Sequence, residues 1–132
     1  MAASAEQVAA IPLFSGLDPD TQGRVAHWFE ERVYDPGDTV LRAGSDGYAF
    51  FVLVDGNLSV HAPNHAVKLG PGDFFGEIGM IGGRRSATVT ADTKATALEM
   101  FGTHFRELQM ELPDVAKLIE DEMTDRQARD QS

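Results

Sequence analysis

The sequence predicts a mainly β fold: an antiparallel sandwich or barrel of short strands, with helices at both ends. Turn signals recur about every 8–12 residues through the middle of the chain, short β-favouring runs separate them, and helical patterns occupy both ends. A chain of 132 residues fits a single domain, expected over 1–132. We divide this domain into an N-terminal helical segment (1–32), a strand-rich segment (33–101) and two C-terminal helices (102–132).

The N-terminal segment contains a clear signal for the start of a helix. Asp18 is a favourable N-cap, and Pro19 suits the first helical position. Four residues then recur at helical spacing, and we expect them to share one face of the helix: Val25, Trp28, Phe29 and Arg32.

The middle of the chain alternates turn signals with short apolar runs. The turn signals are Asp35-Pro36-Gly37-Asp38, Gly44-Ser45-Asp46-Gly47, Asp55-Gly56-Asn57, Ala62-Pro63-Asn64, Gly70-Pro71-Gly72-Asp73 and Ala91-Asp92-Thr93-Lys94. The expected strands are 39–41, 50–54, 58–60, 86–91 and 95–100. Asp55-Gly56 predicts a hairpin between the second and third of these strands, and the turn after Ala91 predicts one between the last two.

The C-terminal end predicts two helices. The first carries an apolar stripe with a period of about 3.6 residues, formed by Phe105, Leu108 and Leu112. Pro113 can begin the second helix. The expected apolar face of that helix contains Val115, Leu118, Ile119 and Met123.

Composition excludes several classes of function. The net charge of −10 argues against nucleic-acid binding by this chain alone, because that binding depends on neutralising phosphates, and against anionic membranes. The absence of cysteine excludes disulfides and thiolate chemistry and favours a reducing, cytoplasmic location. No apolar run approaches the ~18 residues of a membrane helix, and the first residues lack the basic region of a signal peptide.

Neither an enzyme nor a metal site is predicted. His61 and His65 have a His-x3-His spacing, but Pro63-Asn64 between them argues against the helix that such a metal pair needs. The His-x-His strand of the cupin metalloenzymes does not occur, and the sequence places no Ser/His/Asp set together. We therefore expect no catalytic residue, no metal and no cofactor.

The most informative segment, 70–89, is rich in glycine. Six of the 13 glycines lie between 70 and 83, and Arg84-Arg85 follow at once. Glycine allows close backbone approach, and backbone N–H groups together with an arginine bind anions, so the segment predicts a phosphate cradle. Glu77 would repel a bare phosphate, which indicates a ligand that also carries hydroxyls, as a ribose does.

This segment resembles the phosphate-binding cassette of the cyclic nucleotide-binding domains. The residues that carry the resemblance are Phe75-Gly76-Glu77-Ile78-Gly79-Met80 and Arg85-Ser86-Ala87-Thr88-Val89, which place the cassette at 75–87. Supporting similarities occur in the right order at 11–17, 50–60, 105–108 and 113–115. The resemblance therefore covers nearly the whole chain. It implies a jelly-roll-like β-roll of about eight antiparallel strands over 33–101, with helices at both ends.

The resemblance implies a non-catalytic regulatory or sensor module that binds a cyclic purine nucleotide, with cAMP favoured over cGMP. Glu77 would accept a hydrogen bond from the ribose 2′-hydroxyl, and Arg85 would bind the exocyclic phosphate oxygens. The other implied ligand-binding residues are Val67 and Leu69 for the purine, Gly76 for close approach to the sugar, Ile78, and the backbone N–H groups of Gly79, Ser86 and Ala87. Asp130 and Gln131 would lie near the base as a cap.

Two questions stay open at the level of sequence. Glu77 and Arg85 are eight residues apart, which is shorter than the usual spacing in the family, so Arg84 could take the place of Arg85. We favour Arg85 because it directly precedes Ser86-Ala87. The alternative function is a degenerate member of the fold that mediates protein interaction or dimerisation without ligand. In either case, the output would require an effector domain or partner protein outside this chain.

Overall fold

The computed structural model describes residues 2–42, 49–62, 65–76 and 87–131, with the backbone alone for 62, 65 and 126–131. The helices are Ala5–Ala9 (α1), Pro19–Ala26 (α2), Gly102–Glu111 (α3) and Pro113–Gln131 (α4), with a 3-10 turn at Pro12–Phe14. The strands are Glu30–Tyr34 (β1), Thr39–Leu41 (β2), Ala49–Asp55 (β3), Leu58–Ala62 (β4), His65–Leu69 (β5), Phe74–Phe75 (β6), Thr88–Ala91 (β7) and Ala95–Phe101 (β8). The turns predicted at 44–47 and around Pro63-Asn64 lie outside the described residues.

The strands form two four-stranded antiparallel sheets. Sheet A has the order β1-β8-β3-β6, and sheet B has the order β2-β7-β4-β5. The pairs β1–β8, β2–β7, β3–β6 and β4–β5 are those of one long antiparallel ribbon that is rolled up so that its parts become two facing sheets. The predicted antiparallel β-roll with helices at both ends is confirmed.

The turns at Asp55-Gly56 and at 91–94 do not close hairpins, which corrects two predictions. β3 and β4 lie in different sheets, as do β7 and β8, so each turn carries the chain from one sheet to the other. The two crossings pack side by side: the Asp92 N–H donates to the Asn57 carbonyl at 3.0 Å, and the Asn57 N–H donates to Thr93 Oγ1 at 3.1 Å. A local turn signal specifies a chain reversal, whereas the buried faces decide which strands pair.

Sheet A is the central layer of the molecule and is apolar on both faces. One face packs against the helices, where Phe50 and Val52 of β3 belong to the core. The opposite face meets sheet B, where Phe51 and Leu53 belong to a second core. Five successive residues of β3, 49–53, are therefore buried, which is the pattern of a strand that is covered on both sides.

Helix α2 ends earlier than predicted. Its last residue is Ala26, and Trp28 and Phe29 lie buried in the turn that follows. Arg32 lies in β1, which pairs with β8, so the prediction that these three residues continue the helical face was wrong. Apolar residues three and four positions apart fit one face of a helix, but they also fit a turn that is followed by a strand. Here Arg32 belongs to a strand because β1 pairs with β8. The roll therefore begins at Glu30 rather than at 33.

The C-terminal helices follow the prediction except at one position. The buried residues of α3 and α4 include Phe105, Leu108, Val115, Ile119 and Met123. Leu118, predicted on the same face, is 37% exposed, and Ala116 is buried instead. Steps of four residues shift the stripe around the helix toward Ala116, away from Leu118. Within the described ranges, no helix combines the length and the apolar character that crossing a lipid bilayer requires.

Candidate functional site

The two residues predicted to pack a purine lie on the inner face of sheet B. Val67 and Leu69 are two residues apart on β5 and so share one face, and Leu69 belongs to the core between the sheets. Val67 pairs with Val60 of β4, and Val60 pairs with Val89 of β7. A row of three valines, which we call the valine row (Val67, Val60 and Val89), therefore crosses the inner face.

Exposure increases along the valine row from the middle of sheet B to its edge. Val89 is 4% exposed, Val60 is half-buried, and Val67 on the edge strand is 43% exposed. An inner-face residue of a roll ordinarily belongs to the core, so this exposure leaves apolar surface free at the edge. Apolar side chains of this kind line the sites in which flat organic ligands bind.

The structure gives a backbone reason for the glycine at position 76. Gly76 directly follows β6 and has a φ of +80°, in the left-handed region that favours glycine. A Cβ at this position would lie 3.1 Å from Phe51 Cδ2 and 3.3 Å from Leu41 Cδ1. Any other residue would therefore be strained in this conformation, and its Cβ would require Phe51 or Leu41 to shift by a few tenths of an ångström. The approach to a sugar, which the resemblance implies, stays a prediction.

Phe75, which precedes Gly76, is held by a stacked ring. The ring centroids of Phe75 and Phe51 are 5.1 Å apart, their planes are inclined by 10°, and the two residues pair in the sheet. Both rings are buried in the core between the sheets. Phe75 was identified from the sequence, but Phe51 and Leu41 were not. The register of β3 with β6 brings Phe51 beside Gly76, and Leu41 approaches Gly76 from the other sheet.

A Pro-Gly-Asp turn anchors the chain before β6. The Asp73 carboxylate accepts a hydrogen bond from the Gly70 N–H at 2.8 Å, and Gly72 has a φ of +95°. The Gly72 N–H donates to the Leu53 carbonyl at 2.7 Å, and the Leu53 N–H donates to the Asp73 carbonyl at 2.9 Å. Backbone hydrogen bonds to β3 therefore fix the approach to the cassette.

The predicted cassette begins in sheet A, at Phe75 of β6, and ends beside sheet B at Ala87, which is half-buried and precedes β7. Val89 of β7 pairs both with Val60 and with Leu41, the residue whose Cδ1 lies near Gly76. The described ends of the cassette are thus both connected to the valine row. The remaining predicted cassette residues lie outside the described part of the chain: Glu77, Ile78, Gly79, Arg85 and Ser86. The backbone of Asp130 and Gln131 is helical, and their side chains are likewise outside it.

A polar cluster lies behind the valine row, on the outer face of sheet B. Lys68 Nζ donates to Ser59 Oγ at 2.8 Å and forms an ion pair with Asp92 Oδ2 at 3.1 Å. Ser59 Oγ donates to the same Asp92 oxygen at 2.6 Å. These contacts connect β4, β5 and the crossing after β7. The hydrogen bonds from Ser59 and then Lys68 hold the pKa of the Asp92 carboxyl below its usual range.

This lowered pKa predicts an acid-dependent loss of stability. Because the pKa of Asp92 is lower in the folded protein than in the unfolded chain, its carboxylate stabilises the fold fully above the unfolded value of 3.8. The contribution is lost as the pH falls through the folded pKa. Asp92→Asn should therefore flatten the stability curve at acidic pH, and Ser59→Ala should flatten it in part. Urea unfolding at a series of pH values measures this, and an unchanged acid slope in Asp92→Asn would contradict the assignment.

The histidines do not form a metal centre in the part of the chain that the structure describes. There, no three histidine, aspartate or glutamate side chains converge in a way that could hold a metal ion. His61 Nε2 lies 3.1 Å from Thr90 Oγ1 on the outer face of sheet B. The side chain of His65 is outside the description.

Comparison with known proteins identifies the relatives of this chain. The family profile described as "Cyclic nucleotide-binding domain" matches residues 31–111. A cyclic nucleotide-gated potassium channel of Rhizobium etli is 36% identical over 113 residues, which cover 85% of this chain and 32% of the channel. The chain thus spans about a third of the length of the first curated relatives it matches.

Solved structures share the fold. The catabolite activator protein of Thermus thermophilus is 28% identical, with a TM-score of 0.79 over 91% of this chain and 60% of that chain. A cyclic nucleotide-binding domain from Methylobacillus flagellatus has a TM-score of 0.80 over 96% of this chain and 76% of its own. At 19% identity, that second likeness shows the fold alone. The family profile matches more than half of this chain, and the chain therefore belongs to the cyclic nucleotide-binding domain family.

Proposed function

We propose that this chain binds a cyclic purine nucleotide, with cAMP as the favoured ligand, and acts as a non-catalytic regulatory or sensor module. The observation that carries the proposal is the exposed inner-face Val67, at the edge of the valine row that Leu41 connects to Gly76. Apolar surface for a purine and a glycine-rich segment for a phosphate are therefore supplied by connected parts of one roll.

The ligand contacts follow the family pattern in this proposal. Glu77 accepts a hydrogen bond from the ribose, and Arg85 binds the phosphate. The rest of the proposed cradle consists of Gly76, Ile78, Gly79, Ser86 and Ala87. The backbone of α4 is helical to Gln131, so Asp130 and Gln131 would cap the base from the last turn of that helix.

The setting of the domain is part of the same proposal. Residues 1–132 act as a single binding domain in a cytoplasmic environment. The signal passes to an effector domain or partner protein beyond this chain, which spans about a third of the length of the channels it resembles. Binding alone is the task of this domain, and no bond in the nucleotide is broken.

Isothermal titration calorimetry of the folded chain with cAMP, and separately with cGMP, tests the proposal. We expect saturable heat with one site per chain, and tighter binding of cAMP than of cGMP. A folded protein that gives no saturable heat at high micromolar concentrations of either nucleotide would overturn it.

Glu77→Ala tests whether Glu77 accepts the hydrogen bond from the ribose 2′-hydroxyl. Wild-type protein should bind cAMP about ten- to a hundredfold more tightly than 2′-deoxy-cAMP, because a hydrogen bond to a charged group contributes about 1.5–3 kcal/mol. In Glu77→Ala the two ligands should bind equally, since the acceptor for the hydroxyl is gone. Titration of both variants with both ligands measures this, and Glu6→Ala, an exposed glutamate of α1, is the control. Discrimination that survives in Glu77→Ala would show that another group reads the sugar.

A further inference from the structure

Two stacked phenylalanine pairs lie back to back across sheet A. Phe50 of β3 stacks on Phe74 of β6 in the core on the helix side, with centroids 5.8 Å apart and planes at 17°. Phe51 stacks on Phe75 in the core between the sheets, at 5.1 Å and 10°. Both pairs come from β3 and β6, and all four rings are buried. They differ in the face of the sheet that they occupy.

The structure places the inner pair against the start of the cassette. A Cβ at Gly76 would lie 3.1 Å from Cδ2 and 3.6 Å from Cε2 of Phe51, with Leu41 Cδ1 at 3.3 Å. The side of Gly76 on which a side chain would stand therefore faces the Phe51 ring. Phe75, the neighbour of Gly76 in the chain, holds that ring from the other strand. The Phe51 ring thus borders the point at which the chain leaves sheet A.

We infer that Phe51 is a positioning residue for the cyclic nucleotide site. It acts through Gly76, whose direction it sets, and does not itself touch the ligand. Binding groups have to be held within about 0.5 Å by the packing of their supporting residues, and a smaller side chain at 51 would leave Gly76 without that support. The inference rests on the proposed function, in which the segment after Gly76 binds the sugar and the phosphate.

Phe51→Leu and the matched control Phe50→Leu test the inference. Each variant removes one stacked ring from the same strand, so both should unfold at lower urea concentration than the wild type. The affinity of the folded protein for cAMP should distinguish the two variants. We expect the Kd for cAMP to rise about tenfold in Phe51→Leu and to stay within about twofold of wild type in Phe50→Leu. Phe51→Met replaces Phe51→Leu, with the same expectation, if the leucine variant is unfolded without urea.

A double variant distinguishes positioning from a general loss of stability. Gly76→Ala places a methyl group against the Phe51 ring and should weaken binding of cAMP. Phe51→Val removes the Cδ2 and Cε2 atoms that this methyl meets, so the double variant of Phe51→Val and Gly76→Ala should lose less affinity than the product of the two single losses. Losses that multiply in full would mean that Phe51 does not act through Gly76, and would overturn the inference.

The results of these titrations distinguish a failure of this inference from a failure of the proposed function. Equal losses of affinity in Phe51→Leu and Phe50→Leu, or no loss in Phe51→Leu, would overturn the inference while wild-type binding upholds the proposed function. If the folded wild-type protein binds no cyclic nucleotide, the proposed function fails, and the inference fails with it.

Discussion

Arg85→Ala is expected to weaken binding of cAMP by about 2–4 kcal/mol, because truncating one partner of a desolvated charge pair leaves the other charge uncompensated. This corresponds to a rise in Kd of about thirtyfold to a thousandfold. The guanidinium is permanently charged and presents a planar set of donors that matches phosphate oxygens, which a lysine would not reproduce. Calorimetric titration of the purified variant with cAMP measures the loss.

Arg84→Ala is the matched control for this prediction. It removes the same charge one residue away, so any general loss of electrostatic attraction appears in both variants. We expect Arg84→Ala to change the Kd by less than about threefold, because in the proposed site Arg85, and not Arg84, binds the phosphate oxygens. Both variants should fold, since the two described cores are built from other residues. If the two effects are exchanged, the short glycine loop places Arg84 at the phosphate instead.

Gly56→Ala is expected to have the largest effect on stability, a loss of about 3 kcal/mol or more. Gly56 lies where the chain crosses from sheet A to sheet B, with a φ of +90°. A Cβ there would lie 2.4 Å from the Lys94 carbonyl oxygen and 2.8 Å from the Ala95 Cα, and both are backbone atoms of the neighbouring crossing. The contact can be relieved only if one crossing moves, which would disturb β4 or β8.

Gly37→Ala is the control that measures the cost of a left-handed conformation without a close contact at the Cβ. Gly37 has a φ of +91°, but a Cβ there would meet nothing within 4 Å. Its substitution should therefore cost only the conformational strain, about 1–2 kcal/mol. Urea denaturation of the two variants gives the difference between them. Equal losses would contradict the close packing of the two crossings.

Five of the eight described strands could be located from sequence, whereas β1, β5, β6 and the strand partners could not. All five predicted strands overlap strands of the structure, because turn residues and β-branched runs are local signals. Pairing in this fold joins distant residues, such as Glu30 with Glu99, and puts β3 and β4 in different sheets. The turn at Asp55-Gly56 has the composition of a hairpin turn and yet connects two sheets. No rule confined to neighbouring residues distinguishes these cases.

The candidate site, too, could be predicted from the sequence only where local signals or the family resemblance determine it. Val67 and Leu69 were named from the sequence only through the family resemblance, and the structure places both on one face of β5; the left-handed φ at Gly76 agrees with a glycine there. Phe51 and Leu41 could not be predicted as neighbours of Gly76, because strand pairing far along the chain brings them together. A supporting residue of this kind carries no chemistry of its own that would mark it in the sequence.

The central claim is that a cyclic nucleotide binds inside the roll, with its base on the inner face of sheet B. Methyl NMR of the valine residues during a titration with cAMP tests this most directly. Val67 and Val33 are both exposed, at 43% and 54%, but Val67 ends the valine row and Val33 lies on β1 of sheet A. A purine on the valine row should shift the Val67 methyl signals saturably through its ring current and leave those of Val33 unchanged. Saturation that leaves Val67 unshifted, or that shifts Val33 equally, would contradict the account.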